Sequence, residues 1–260
     1  MLDTVLSERE LRVVRAYVAA REQERRHLVA YVSGAHAYGF ASPDSDVDLK
    51  CIHVAATGDL VGLTPTTDGA DRIEIIEGVE VDYGSNELAG ALRGAIKGNG
   101  NYLERFLGEL IVTSMPELLA ESRPIIARLL SQRVGRHYAG FAAGQLRQFD
   151  EKPTAKRALY VLRTSATGRH LLETGELVTD LRQLAARYAP AELPELLEIK
   201  LRGEQSALSP EQVERWRARL TAAIAAVDDS VPRSCLPAEP PARAVAEADE
   251  WLRSVRRHYW

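Results

Sequence analysis

Little in this chain of 260 residues points to a membrane, a secretory route or a disulfide scaffold. Its two cysteines, Cys51 and Cys235, lie far apart and form no metal-binding or redox spacing, as expected in a reducing compartment. No apolar run approaches the roughly 18 residues that a membrane-spanning helix needs, so no membrane partner is expected. The first residues, MLDTVLSEREL, lack a basic stretch followed by an apolar one, so no signal peptide is expected and the chain reads as cytoplasmic. A strong charge of one sign is also missing. The 33 Lys+Arg against 37 Asp+Glu leave a net charge of -4, which argues against long, non-specific nucleic-acid tracking. No internal repeat is evident. The 45% hydrophobic content excludes wholesale disorder, and the length suits one large domain or two small ones.

Charge is unevenly spread. Residues 1–120 carry 11 Lys+Arg and 19 Asp+Glu, whereas residues 121–170 carry 10 and 3. Solvated helix faces account for such an asymmetry, and so do acidic metal ligands followed by phosphate-binding cations; composition does not choose between them.

The local patterns are more definite. Ser7 followed by Glu10 is a capping-box pattern, and Leu11, Val14 and Val18 recur at helical spacing. HLVAYVS (27–33) is a β-prone run that stops at Gly34. A turn-rich stretch, GFASPDSD, leads into a strand over 47–54, where Val47, Leu49 and Cys51 alternate with Asp48 and Lys50 until Ile52 and Val54 break the pattern. RIEIIEGVEVDY (72–83) predicts a hairpin turning at Gly78. From Leu88, Leu92 and Ile96 onward the spacing is helical, with a break at KGNGN (97–101). Helices are expected near 102–108, 115–130, 132–149, 154–172, 180–188, 209–228 and 243–258. Residues 1–115 thus read as a mixed αβ domain and 116–260 as an all-helical one.

The chemistry centres on Gly34-Ala35, ten residues, then Asp46-Val47-Asp48. Alternation along a strand puts Asp46 and Asp48 on one face, roughly 6.5–7 Å apart. Two carboxylates there repel each other unless a cation lies between them, and hard oxygen donors suit Mg²⁺ or Mn²⁺. A third acid is available in the hairpin: Asp82 near a strand end, or Glu80 two residues earlier. Three acids on two metals suit an in-line phosphoryl displacement. The backbone amides at 34–36 are candidates for cradling a triphosphate, helped by the glycine. Taken alone, Asp-x-Asp after SPDS is also a common solvated turn.

GAHAYGFASPDSDVDLKCIHV resembles the signature of the DNA-polymerase-beta-like nucleotidyltransferase superfamily: Gly-Ser or Gly-Gly, a spacer, then Asp-x-Asp/Glu. Within it the chain is most similar to the predicted nucleotidyltransferases that include the RNA-ligase-associated group. Gly34, Tyr38, Gly39, Ser42, Pro43, Ser45, Asp46 and Asp48 match that group's first motif. KGNGNYLERF (97–106) resembles its Gly-Asn-x-x-x-x-Glu segment and KRALYVLR (156–163) its Lys-x-x-x-Tyr-x-x-Arg segment. The resemblance covers about 30–175; residues 176–260 carry no such motif. Where the group usually has Ser this chain has Ala35, so a hydroxyl that would contact phosphate is missing while the backbone amide remains.

The resemblance implies an α+β fold, a small mixed β-sheet with flanking helices followed by an all-helical C-terminal domain, with the nucleoside triphosphate in the cleft between them. It implies Asp46, Asp48 and Asp82 as catalytic residues and Mg²⁺ (or Mn²⁺) ligands, with Asp82 as general base. It also implies Gly34, Ala35, His36, Tyr38, Ser45, Lys156, Tyr160 and Arg163 as nucleotide-binding residues. Lys156, Tyr160 and Arg163 share a helical face that suits gripping a triphosphate and stacking on a base, and Lys152 and Arg157 would extend it. Asn99 and Glu104 would flank the site, with a capped helix start as the plainer reading. His137 and His170 read as structural, and Trp216 and Trp251 as plugs of the helical core. The expected reaction moves an NMP from an NTP to a hydroxyl on an RNA 3′ end, a protein side chain or a small molecule, releasing pyrophosphate. The alternatives are a nucleotide-binding regulator that has lost turnover, as Ala35 would allow, and a helical RNA-binding or RNA-cutting protein built on Arg163 and His170.

Overall fold

The capping box forms as its residues predict. The Ser7 hydroxyl accepts from Glu10 N–H and the Glu10 carboxylate accepts from Ser7 N–H, opening α1 (Glu8–Arg21). β1 (Arg26–Val32) follows, then a short α2 (Gly34–Tyr38), β2 (Val47–Val54), α3 (Thr57–Leu60) and the hairpin β3 (Gly69–Ile76) and β4 (Val79–Glu87). The remaining elements are α4 (Leu88–Ile96), α5 (Gly100–Leu107), β5 (Ile111–Ser114), α6 (Pro116–Leu129), α7 (Arg133–Glu151), α8 (Ala155–Thr174), α9 (Leu181–Tyr188), α10 (Leu193–Leu201), α11 (Pro210–Ser230) and α12 (Ala242–His258). This computed structural model describes residues 2–64, 69–203 and 206–260.

The chain divides into two units. One comprises Met1–Gly34, Asp46–Leu130 and Pro240–Trp260; the other comprises Ala35–Ser45 and Ser131–Glu239. The first holds a five-stranded mixed sheet in the order β3-β4-β2-β1-β5. β1 is antiparallel to β2 and β5, β3 is antiparallel to β4, and β2 is parallel to β4. The hairpin turns at Glu77 and Gly78, both with positive φ (50° and 74°), the geometry that matches the twist of a two-residue loop.

One sheet face packs on α1. Val47, Leu49 and Cys51 of β2 join Val81 and Tyr83 of β4 and Val14, Tyr17 and Val18 of α1 in one core. The opposite face of β2 changes character along its length. Asp48 and Lys50 are half-buried, whereas Ile52 and Val54 are fully buried. α4 and α5 cover that end, where Arg105 of α5 donates to the Cys51 carbonyl at 3.1 Å and to Asn86 Oδ1 at 2.5 Å. The alternation read from the sequence breaks at Ile52 for this reason. The polar residues mark the stretch of this face that the helices leave uncovered.

α12 also belongs to the first unit, and polar contacts tie it there. Arg256 pairs with buried Glu87 at 2.5 Å, the Thr57 hydroxyl donates to the Arg256 carbonyl at 2.7 Å, and Trp251 Nε1 donates to Glu121 at 2.9 Å. Trp251 is therefore a half-buried partner of Glu121, not a plug of the helical core. Trp216 is such a plug, fully buried on α11.

In the second unit α7, α8 and α11 pack on one another. α8 is buried along most of its length, as befits a central helix that is apolar on several sides. α10 and β5 have no counterpart in the sequence reading, being short and weakly periodic; α10 also begins beside Pro194, which suits a helix start as well as a break.

Candidate active site

The carboxylates converge through strand pairing. Asp48 and Asp82 are register partners on the parallel strands β2 and β4, so their side chains leave the same sheet face side by side. Asp46 lies just before β2. One carboxylate oxygen from each of Asp46, Asp48 and Asp82 lies within 4.8 Å of the other two, the one such metal-compatible group among the described residues. Glu80 is exposed and outside this group. Behind Asp48, Gly34 has φ +63°, and a Cβ there would fall 1.8 Å from Asp48 Oδ2. Only glycine leaves the carboxylate its place. Ser33 N–H also donates to the Asp48 carbonyl at 2.8 Å, anchoring the strand start.

The electrostatics match the crowding. Burial, reinforced by the charge of Asp46 and then of Asp82, pushes the Asp48 carboxyl from 3.8 up to about 7, with Lys50 pulling the other way. Lys50 Nζ lies 2.8 Å from Asp82 Oδ2 and 3.5 Å from Asp48 Oδ1. A set of hard, partly desolvated oxygen donors whose mutual repulsion raises a carboxyl pKa fits a divalent metal ion, and Asp46, Asp48 and Asp82 are the residues that would hold it.

The other expected binding residues, Ala35, His36, Tyr38, Ser45, Lys156, Tyr160 and Arg163, belong to the second unit. Three of them cluster: Tyr160 meets Tyr38 edge-on at 5.8 Å, and the Arg163 guanidinium lies 3.5 Å from the centroid of the Tyr38 ring. Phe40 completes the aromatic group, 5.5 Å from Tyr160. Arg163 is only 3% exposed, so the face expected to be cation–aromatic–cation ends in an internal stack at this residue. His36 is buried, and Lys156 is half-buried on α8.

The plainer readings hold for several residues. Asn99 caps α5, accepting from Asn101 N–H at 3.0 Å, and Glu104 is buried on that helix. His170 shares a 3.3 Å hydrogen bond with Tyr188, and burial lowers its pKa. His137 stacks on Phe141. With Arg163 stacked on Tyr38 and His170 engaged with Tyr188, the pair offered for RNA cutting has structural contacts on both members.

Two lysines carry more than their sequence position conveyed. Lys50 alternates with Asp48, so the strand pattern already placed it on the acidic face, but its bridging of two acids depends on β2–β4 pairing. Lys200 of α10 is almost fully buried. Its ammonium donates to Ser42 Oγ and, at 3.2 Å, to Ser45 Oγ. Ser42 Oγ donates in turn to Asp44 Oδ1 at 2.7 Å. The SPDS turn is thus pinned by a lysine more than 150 residues away, which no local signal announces.

The RNA repair pathway DNA polymerase beta family (RlaP) matches residues 12–254 of this chain. No curated protein matches it. Among solved structures, a nucleotidyltransferase-like protein from Exiguobacterium sibiricum 255-15 is similar over 95% of this chain and 80% of its own, with 13% identity and a TM-score of 0.35. With the family match spanning nearly the whole sequence, the chain belongs to the RNA repair pathway DNA polymerase beta family.

Proposed function

We propose that this protein transfers a nucleoside monophosphate from a nucleoside triphosphate to a hydroxyl acceptor with the aid of Mg²⁺ or Mn²⁺, releasing pyrophosphate. The observation that carries the reading is the group Asp46, Asp48 and Asp82, packed within 4.8 Å in a chain of this family. The acceptor oxygen bonds to the α-phosphorus, and the α–β bridging bond breaks with its electron pair leaving on pyrophosphate. Asp82 takes the proton from the attacking hydroxyl and passes it to water. Asp46, Asp48 and Asp82 would hold the metal, and a divalent ion bound there would supply Lewis-acid activation of the hydroxyl and charge neutralisation at the leaving group. Gly34, lacking a Cβ, leaves the Asp48 carboxylate its space. To the nucleotide we assign Gly34, Ala35, His36, Tyr38, Ser45, Lys156, Tyr160 and Arg163. The acceptor classes are an RNA 3′ end, a protein side chain or a small molecule, and two free thiols suit a reaction in the cytoplasm.

Ala35 supports one competing reading, a regulator that binds nucleotide without turnover. Incubation with each α-³²P-labelled NTP, Mg²⁺ or Mn²⁺, and a cell extract separates the two. Transferred label that disappears in the Asp46→Asn, Asp48→Asn double variant is the expected result, and ribonuclease or protease digestion then names the acceptor class. Mg²⁺-dependent binding of NTP with no pyrophosphate released would favour the regulator. Absence of both transfer and binding would defeat both readings.

A further inference from the structure

Lys50 occupies a position that a metal-binding role for the three acids makes consequential. Its Nζ contacts Asp82 Oδ2 at 2.8 Å, Asp48 Oδ1 at 3.5 Å and the Asp82 carbonyl at 3.3 Å. Its side chain is 23% exposed, intermediate between those of Asp48 and Asp82 at 16% and 32%. Its register partner on β4 is Gly84, where a Cβ would come within 3.5 Å of Lys50 Cδ and 2.9 Å of Asp71 Oδ1. The lysine thus lies over Gly84, on the same sheet surface as both acids. An ammonium therefore lies against two of the three carboxylates that would hold a divalent ion, and both cations cannot use the same oxygen atoms fully.

We propose that Lys50 is a built-in competitor of free divalent metal at this site. It balances the acids when nucleotide is absent, so that the site loads metal weakly from solution and strongly only when metal arrives with a triphosphate, whose anionic oxygens offer the ammonium an alternative partner. The inference rests on the transferase reading above. It accounts for a cation placed among residues whose acidity would otherwise serve metal binding without opposition, and it makes metal loading conditional on substrate.

The test is Mn²⁺ binding, followed by the electron paramagnetic resonance of free Mn²⁺ and by calorimetry. The proteins are the wild type, Lys50→Met, Lys50→Arg and the Asp46→Asn, Asp48→Asn double variant, each with and without non-hydrolysable α,β-methylene ATP. Circular dichroism of each variant checks folding, and Lys50→Gln stands in if Lys50→Met fails that check. Removing one charge at this distance from a partly buried site corresponds to roughly ten- to hundredfold tighter Mn²⁺ binding by Lys50→Met without nucleotide. Lys50→Arg stays near wild type, and the analogue tightens Mn²⁺ binding far more in the wild type than in Lys50→Met. Mn²⁺ binding that is lost in the double variant yet unchanged or weaker in Lys50→Met would overturn the inference and leave the transferase reading standing. Failure of every protein to bind Mn²⁺, with or without the analogue, would overturn both.

Discussion

Replacing Asp48 by Asn tests the electrostatic account of the site most directly. Asn has the same shape, so it fits the space that Gly34 leaves beside Oδ2, and the Ser33 N–H bond goes to the Asp48 backbone, which the substitution preserves. What changes is the charge. In the folded protein the Asp48 carboxyl titrates near 7 against an ordinary 3.8, a difference of about 4 kcal/mol between its two protonation states. The sign follows from the raised value. Below pH 4 the carboxyl is protonated whether folded or not. Between pH 4 and 7 the unfolded chain releases this proton and the folded one keeps it, so stability falls as pH rises, levelling off above pH 7. Metal-free wild type is therefore expected to lose up to about 4 kcal/mol across this window from Asp48, and Asp48→Asn to lack that loss, becoming the more stable protein at pH 8. Urea unfolding in EDTA at several pH values, read by pulsed hydrogen exchange in peptides covering 47–54 and 79–87, measures it within the first unit. A wild type and a variant with the same pH slope would refute the reasoning.

Three further outcomes follow from named contacts. Gly34→Ala meets both positive φ and an overlap with Asp48 Oδ2; it is expected to cost about 2–4 kcal/mol and to weaken Mn²⁺ binding, and normal exchange protection of β2 would count against it. Arg163→Lys exchanges a planar group stacked 3.5 Å from the Tyr38 centroid for a point charge, so a loss of about 1–2 kcal/mol is expected in urea melts of the second unit; an unchanged midpoint would show that the stack contributes nothing. Ser42→Ala removes one acceptor from the buried Lys200 ammonium, with an expected cost of about 1–3 kcal/mol, and thermal melts checked against Ser45→Ala would show whether the two hydroxyls share that role.

Much of this fold is legible where the physics is local. The Ser7–Glu10 box, the strand 47–54, the hairpin at Gly78 and most later helices rest on spacing, capping and turn chemistry within a dozen residues, and they form within a few residues of the expected bounds. β5 is too short to show a period, and α10 too short and Pro-flanked to stand out. The candidate site is legible in the same measure. Asp46 and Asp48 share a face by alternation alone, and Gly34 stands out as the end of a β-prone run. Lys200 and the burial of Arg163 depend on partners remote in sequence.

The amino-acid order by itself determined which residues carry chemistry and which short elements present them, because hydrogen-bonding period and side-chain alternation act over a few residues. Tertiary structure decided which of them meet. The parallel pairing of β2 with β4 sets Asp82 beside Asp48 and chooses it over Glu80, and it also delivers Lys50 to both carboxylates. α12, more than a hundred residues beyond the sheet, returns to the first unit through Arg256 and Glu87, while residues 35–45 cluster with the second. Such choices arise from burial and charge pairing between distant segments, and a local pattern holds no record of its partner.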